Sequence, residues 1–290
     1  MEHFREVLLR ELDIRGRRPK TKTAYLASLE KFTDFYKKPL NDLGIDDMKL
    51  FQYHLIKEEQ LNPRTVNRHL SAVRFFYTII LDRNLRPGQV PQMKTRDKLP
   101  IIFSTEEIKQ MLSAIKDIQH HAIFATLYST GMRLGEIQRL RPRDINSKRM
   151  VIEIIDGKGG VDRLAILSPY LLKILRQYWV ESKNDKSCWL FSPTRNSFSK
   201  KHLNKPLSHT AVDYVVKRAA ILAGIDKRIT VHSLRYAFAM HLLEKNTNLR
   251  HIQYLLGHKD IRTTVRYLRC SDIKTIEVAS PLDDLMVEAS

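Results

Sequence analysis

Apolar residues recur at helical spacing through the first 85 or so positions of the chain. Thr21 is placed to cap a helix on which Tyr25, Leu29, Phe32 and Tyr36 fall at i, i+4, i+7 and i+11, one stripe at the α-helical period. A second helix is expected from about Gly44 to Glu59. A third starts near Asn62-Pro63 and places Val66, Leu70, Val73 and Tyr77 on one face, with Arg64, Arg68 and Arg74 on the other. A row of arginines usually marks a solvated face. Beside Arg17, Arg18, Lys20 and Lys22 it also offers a surface for phosphates.

The period stops between about Arg86 and Pro100, where Pro87, Gly88, Pro91 and Pro100 stand among basic residues. Residues 87–100 therefore read as an interdomain linker after a helical domain over 1–86. Ser104 and Glu107 form a capping box that opens a second domain, spanning 101–271. It is mostly helical with one interruption. Residues 150–155 are β-branched and partly alternating, and 163–166 follow after Gly157-Lys158-Gly159-Gly160, the pattern of a hairpin about a glycine turn. Helices are expected near 169–178, 210–223, 231–244, 249–256 and 261–268. In the 210–223 helix Val212, Val215, Val216 and Ala219 face inward, while Lys217 and Arg218 point away and join the candidates for phosphate contact. The fold class is mainly α: a helical bundle, then a mixed helical domain carrying a small β-hairpin. A tail over 272–290 holds five acidic residues and one lysine. Its Ser280-Pro281 step suits a helix start, and its composition equally suits a frayed terminus.

At 290 residues the chain is long enough for two cores. Lys and Arg number 50 against 32 for Asp and Glu, a net charge of +18. That excess points to a polyanionic partner and salt-sensitive binding, with a basic but inert surface as the alternative. No apolar run approaches the roughly 20 residues of a membrane span. The first six residues carry charge where a signal peptide is apolar, so a cytoplasmic location is expected. Cys188 and Cys270 fit neither a disulfide framework nor a zinc site.

Several polar groups have a spacing suited to phosphodiester chemistry. Without metal, the charge on a phosphodiester must be met by fixed cations, chiefly arginine, whose planar fork matches phosphate. Arg133 lies between a glycine and a helix start, and Glu136 one turn on is placed to hold its guanidinium. His232 and Arg235, at i and i+3, project from one helical face. His258 follows an apolar turn and a glycine, at a helix end. Tyr267 lies on the next helix, after Thr263 and Thr264. A phenol is a poor nucleophile at its ordinary pKa near 10 and needs neighbouring cations and a base. Lys158, at the hairpin tip, is placed to protonate a departing oxygen. Taken singly, each fits a blander role: Arg133 a surface ion pair, His258 a helix cap, Tyr267 packing. Gly157-Lys158-Gly159-Gly160 is not a P-loop, because no Ser or Thr follows the lysine and a strand comes next. The histidines lack metal-ligand spacing.

In combination these groups are more specific. Residues 104–269 resemble the catalytic domain of the tyrosine recombinase (integrase) family, and the helical first domain resembles its core-binding domain. The family pattern is a Gly-x-Arg-x-x-Glu box, a hairpin Gly-Lys-Gly, His-x-x-Arg, Leu-Gly-His and a tyrosine nine residues later. Arg133, Lys158, His232, Arg235, His258 and Tyr267 match it in order. Tyr236 stands where many members have histidine. Val161 stands where a basic residue is common, leaving Lys158 and Arg163 as the hairpin's cations. The resemblance implies a clamp around double-stranded DNA and attack by Tyr267 to give a 3′-phosphotyrosyl link. Arg133 and Arg235 hold the phosphate with His258 assisting, Lys158 is the general acid, and His232 is a base or hydrogen-bond partner. It implies no cofactor and no metal, and a homotetramer on synapsed sites with the tail passed between subunits. A type IB topoisomerase and a DNA-binding regulator with an idle site are the competing classes.

Overall fold

The computed structural model describes residues 2–95, 101–155, 162–182, 189–193 and 205–268. The chain divides into two compact units at Lys98/Leu99.

Among the described residues, four α-helices build the first unit: α1 (Glu2–Ile14), α2 (Pro19–Tyr36), α3 (Ile45–Lys57) and α4 (Pro63–Phe75), the last continuing through a π turn, Phe76–Ile80. α2 begins at Pro19, two residues before the expected cap at Thr21. Proline suits that first turn because its missing N–H has no helical partner there and its φ is already helical. Asn62 caps α4 by accepting from Thr65 N. The two expected stripes meet in the core, where Leu29 and Phe32 of α2 pack with Val66, Leu70 and Val73 of α4. Leu8 and Leu12 of α1 and Phe51 of α3 complete it, and Phe32 meets Phe51 edge to face at 5.0 Å. Burying each such side chain contributes about 1.5–3 kcal/mol.

The first half of the expected linker is docked on this unit. Asn67 donates to Met93 O and accepts from Met93 N, each at 2.9 Å, Gln52 donates to Pro91 O at 2.9 Å, and Arg74 donates to Val90 O. Arg74 is thus half-buried against the chain's own backbone, a correction to the expected row of phosphate-facing arginines. Burial also pulls its pKa below the usual arginine value.

The second unit contains α5 (Thr105–Ala114), α6 (Ile118–Thr130), α7 (Leu134–Gln138), β1 (Ile145–Asn146), β2 (Val151–Ile154), β3 (Arg163–Ile166), α8 (Pro169–Ser182), α9 (His209–Leu222), α10 (Val231–Glu244), α11 (Leu249–Leu256) and α12 (Ile261–Leu268). The expected capping box closes at α5: Glu107 N donates to Ser104 Oγ, and Ser104 N to Glu107 Oε2. α6 is the central helix. Ala122 through Leu127 are all buried, with α8, α9 and α10 packed around them. The sheet is antiparallel in the order β1-β2-β3, with Ile152 opposite Ala165 and Ile154 opposite Arg163. Ile152, Ile154, Arg163 and Ala165 share its buried face. Among the described residues, no helix is long and apolar enough to cross a membrane.

Candidate active site

Helix ends place the cations. α6 stops at Gly131, whose φ of 58° is left-handed, and an added Cβ would lie 2.5 Å from Phe238 Cδ1 and 3.0 Å from Leu256 Cδ2. Glycine is required there for both backbone and space. Gly131→Ala is expected to cost about 2–4 kcal/mol, read as a lower thermal midpoint, and an unchanged midpoint would show that the turn relaxes freely. Two residues on, Arg133 is the N-cap of α7, and the Glu136 carboxylate one turn later accepts from Arg133 N at 2.8 Å and from Arg133 Nη1 at 2.8 Å.

Three guanidiniums converge on the end of α11. Arg235, from α10 and only 1 % exposed, donates through Nη1 to Gly131 O at 2.6 Å and through Nη2 to Leu256 O. Arg133 Nη2 donates to Gly257 O at 3.1 Å. Arg163, from β3, donates through Nη1 to Leu255 O and through Nη2 to Glu136 Oε2 at 2.7 Å. Three successive carbonyls, 255 to 257, therefore each receive an arginine from a different element. A helix C-terminus leaves its last carbonyls unpaired and partly negative, which is why cations gather there.

The His258 ring follows from this arrangement. Its Nε2 lies 3.0 Å from Arg235 Nη2, and a guanidinium only donates, so Nε2 accepts. The ring proton then sits on Nδ1 and is donated to Thr264 Oγ, 2.9 Å away on α12. Burial, followed by repulsion from Arg235, Arg133 and Arg163, lowers the His258 pKa to about 3, so the ring is neutral at physiological pH. Tyr267, one turn beyond Thr264 and 2 % exposed, stacks on His258 with ring centroids 6.1 Å apart and planes 10° apart. Its other side meets Tyr236 edge-on at 5.1 Å, and Tyr236 meets the exposed His232 edge-on at 4.8 Å. In the row His232–Tyr236–Tyr267–His258, His258 stacks on the phenol ring and His232 is one ring further, beyond Tyr236. Burial raises the Tyr267 pKa to about 12, with Arg235 and Arg133 pulling the other way.

Among the described residues, only one carboxylate, Glu136, is hydrogen-bonded to these three guanidiniums. Burial lowers the Arg235 pKa to about 10, reinforced by repulsion from Arg133 and Arg163, so it stays charged at neutral pH. Burial alone would raise the Glu136 carboxyl, but Arg163 and Arg133 outweigh it and the net shift is downward. A lowered carboxyl contributes stability that is fully present above its unfolded value and is lost as pH falls through its folded one. Glu136→Gln is therefore expected to be about 3 kcal/mol less stable at pH 7, with the gap to wild type closing below about pH 4.5. Parallel melting curves from pH 7 to pH 3 measure it, and a constant gap would count against the buried ion pair.

The structure thus brings together Arg133, Arg235, His258 and Tyr267, with His232 beside them. Lys158 and the tail lie outside the described residues. Arg163 is corrected: at 4 % exposure and paired with Glu136, it is not a hairpin cation open to DNA. Lys217 and Arg218 are exposed on α9; Lys20, Arg64 and Arg68 are exposed on the first unit, where Lys22 pairs with Asp13. Thr264 was not singled out from sequence, and its signal was only its place three residues before Tyr267. The carbonyls of Gly131, Leu255, Leu256 and Gly257 leave no side-chain signal at all.

Residues 102–273 match the model of the phage integrase family, and residues 4–86 match that of its N-terminal SAM-like domain. An integrase/recombinase of Sinorhizobium fredii is 37 % identical over 284 residues, covering 98 % of this chain and 89 % of the relative. Tyrosine recombinase XerA of Thermococcus kodakarensis is 32 % identical over 264 residues, covering 89 % and 87 %. In fold, the chain is similar to XerH site-specific recombinase bound to palindromic difH substrate, with a TM-score of 0.71 over 93 % of this chain and 82 % of that one at 20 % identity. The chain belongs to the phage integrase family, the tyrosine recombinases.

Proposed function

We propose that this protein is a site-specific recombinase that cleaves and rejoins duplex DNA through Tyr267. The observation that carries this reading is a buried phenol beside Arg235 and Arg133, in a cluster with Arg163 whose only hydrogen-bonded carboxylate, among the described residues, is Glu136. Such a site has an excess of fixed positive charge, and a phosphodiester supplies the anion that balances it. Arg133 and Arg235 bind the non-bridging oxygens, and His258 supports Arg235 through Nε2. The Tyr267 oxygen attacks phosphorus while the bond to the 5′-oxygen breaks. Lys158 protonates that leaving oxygen, and His232 serves as base or hydrogen-bond partner. The 5′-hydroxyl of a partner strand then reverses the step, so bond energy is retained without ATP. Two duplexes need four protomers, with residues 281–288 docking on a neighbouring copy. DNA contact extends to the exposed cations Lys20, Arg64, Arg68, Lys217 and Arg218. The site of action is the cytoplasm.

The test starts from duplexes enriched by rounds of binding selection and nicked beside each candidate position, so that the short leaving strand diffuses away. A complex that survives SDS in the presence of EDTA, with a nucleotide adduct mapped to Tyr267, is the expected result. Tight binding to the selected duplexes with no covalent product at any nick position would instead mark a DNA-binding regulator.

A further inference from the structure

We infer that Arg163 is a positioning residue for the cleavage step, keeping the Arg133 guanidinium turned toward the scissile phosphate; this rests on the recombinase reading above. The register of the sheet puts Arg163 opposite Ile154 on the buried face, and its fork then reaches two groups on different elements. Nη2 binds Glu136 Oε2 at 2.7 Å and Nη1 binds Leu255 O. The same Glu136 accepts Arg133 Nη1 on Oε1, while Arg133 Nη2 reaches forward to Gly257 O.

This geometry makes one carboxylate serve two guanidiniums. Glu136 Oε2 is already occupied by Arg163 Nη2 and Arg133 N, so Arg133 is held by a single side-chain bond. Without Arg163, Oε2 is open to a second bond from the Arg133 guanidinium. Paired carboxylate and guanidinium favour that two-bond geometry. Arg133 would then fold back onto Glu136 and leave Gly257 O. Arg163 prevents this by taking Oε2 and, through its other limb, fixes the end of α11 that carries His258. The packing leaves little slack, since a Cβ on Gly257 would lie 2.6 Å from Arg163 Cδ and 3.1 Å from its Nε. That Nε is buried without a hydrogen-bond partner among the described residues, so the side chain is held by its two terminal nitrogens.

A plain counter-ion for Glu136 would predict lost stability and nothing more. The positioning role predicts a defect tied to the charge on the phosphate. Arg163→Gln and Arg163→Lys are compared with wild type in single-turnover capture on the selected nicked duplex, made with either a phosphate or a methylphosphonate at the cleavage position. Arg163→Lys retains a charge for Glu136, so it carries the test should Arg163→Gln not fold, yet its single ammonium cannot span Glu136 and Leu255 O as the fork does. Capture on the phosphate is expected to fall about 100-fold, the scale of an ångström-sized misplacement, with DNA affinity within about twofold of wild type. On methylphosphonate, in which a methyl replaces one non-bridging oxygen and the linkage is neutral, the deficit relative to wild type should shrink to a few-fold. An equal deficit on both substrates, or wild-type capture by either folded variant, overturns the inference and leaves the recombinase reading intact. Failure of the wild-type protein to form any covalent complex sinks that reading instead.

Discussion

Tyr267→Phe is expected to lower covalent capture by more than about 10⁴-fold while DNA affinity and melting temperature stay close to wild type. The substitution removes the oxygen proposed to attack and leaves the ring, whose stacking on His258 and edge contact with Tyr236 hold α12 in place. Stability should move by no more than about 1.5 kcal/mol, the net worth of one hydrogen-bonding group. The size of the catalytic loss follows from there being, among the described residues, no second phenol stacked on His258. Tyr236 lies 5.1 Å away ring to ring in a T-shaped contact, and its ring also meets His232. In the free protein the phenol is 2 % exposed and, with a pKa near 12, protonated at neutral pH. Capture assays and melting curves on the same preparation test both halves. Residual capture above one part in about 10³ would require a second nucleophile, with Tyr236 the first to examine.

The parts that were legible in the sequence share a physical character. Leu29, Phe32, Val66, Leu70 and Val73 repeat at the helical period because α2 and α4 each bury a single face, and the stripe survives in the chain as written. α6 carries no such stripe, since Ala122 through Leu127 are all buried and its apolar residues are not confined to one face. β1 is two residues long, too short to show any alternation. In the site, boxes such as His232-x-x-Arg235 were readable because helical spacing fixes which side chains share a face. Arg163 was misread for the opposite reason. In β3 the apolar pair Leu164 and Ile166 suggests the opposite orientation, yet Arg163 and Ala165 face the interior, and only the pairing of Ile154 with Arg163 placed the guanidinium there. Four of the bonds that assemble the site run to backbone oxygens, which every residue possesses and no sequence distinguishes.

Arg235→Lys is the sharpest test of that assembly, because it keeps the charge and removes the fork. Arg235 reaches in two directions, Nη1 to Gly131 O at the end of α6 and Nη2 to Leu256 O and His258 Nε2 at the end of α11. A lysine has one nitrogen at a single point and cannot serve both helix ends, so at least one buried acceptor loses its donor. Each orphaned group costs about 1–3 kcal/mol, and a loss of stability on that order is expected. His258 Nε2 loses the donor that oriented its ring, leaving Thr264 as the remaining anchor. The long-range attraction for DNA should change little, since one positive charge replaces another. Capture should fall about 10²- to 10³-fold, the usual loss when one preorganised donor to a developing charge is removed. A buried ammonium is also more easily deprotonated than a guanidinium, so the residual activity should decline further as pH rises above neutral, where wild-type Arg235, with a pKa near 10, stays charged. If Arg235→Lys captured DNA within tenfold of wild type with an unchanged alkaline profile, charge alone would suffice. The two-way fork would then be a feature of folding and not of catalysis.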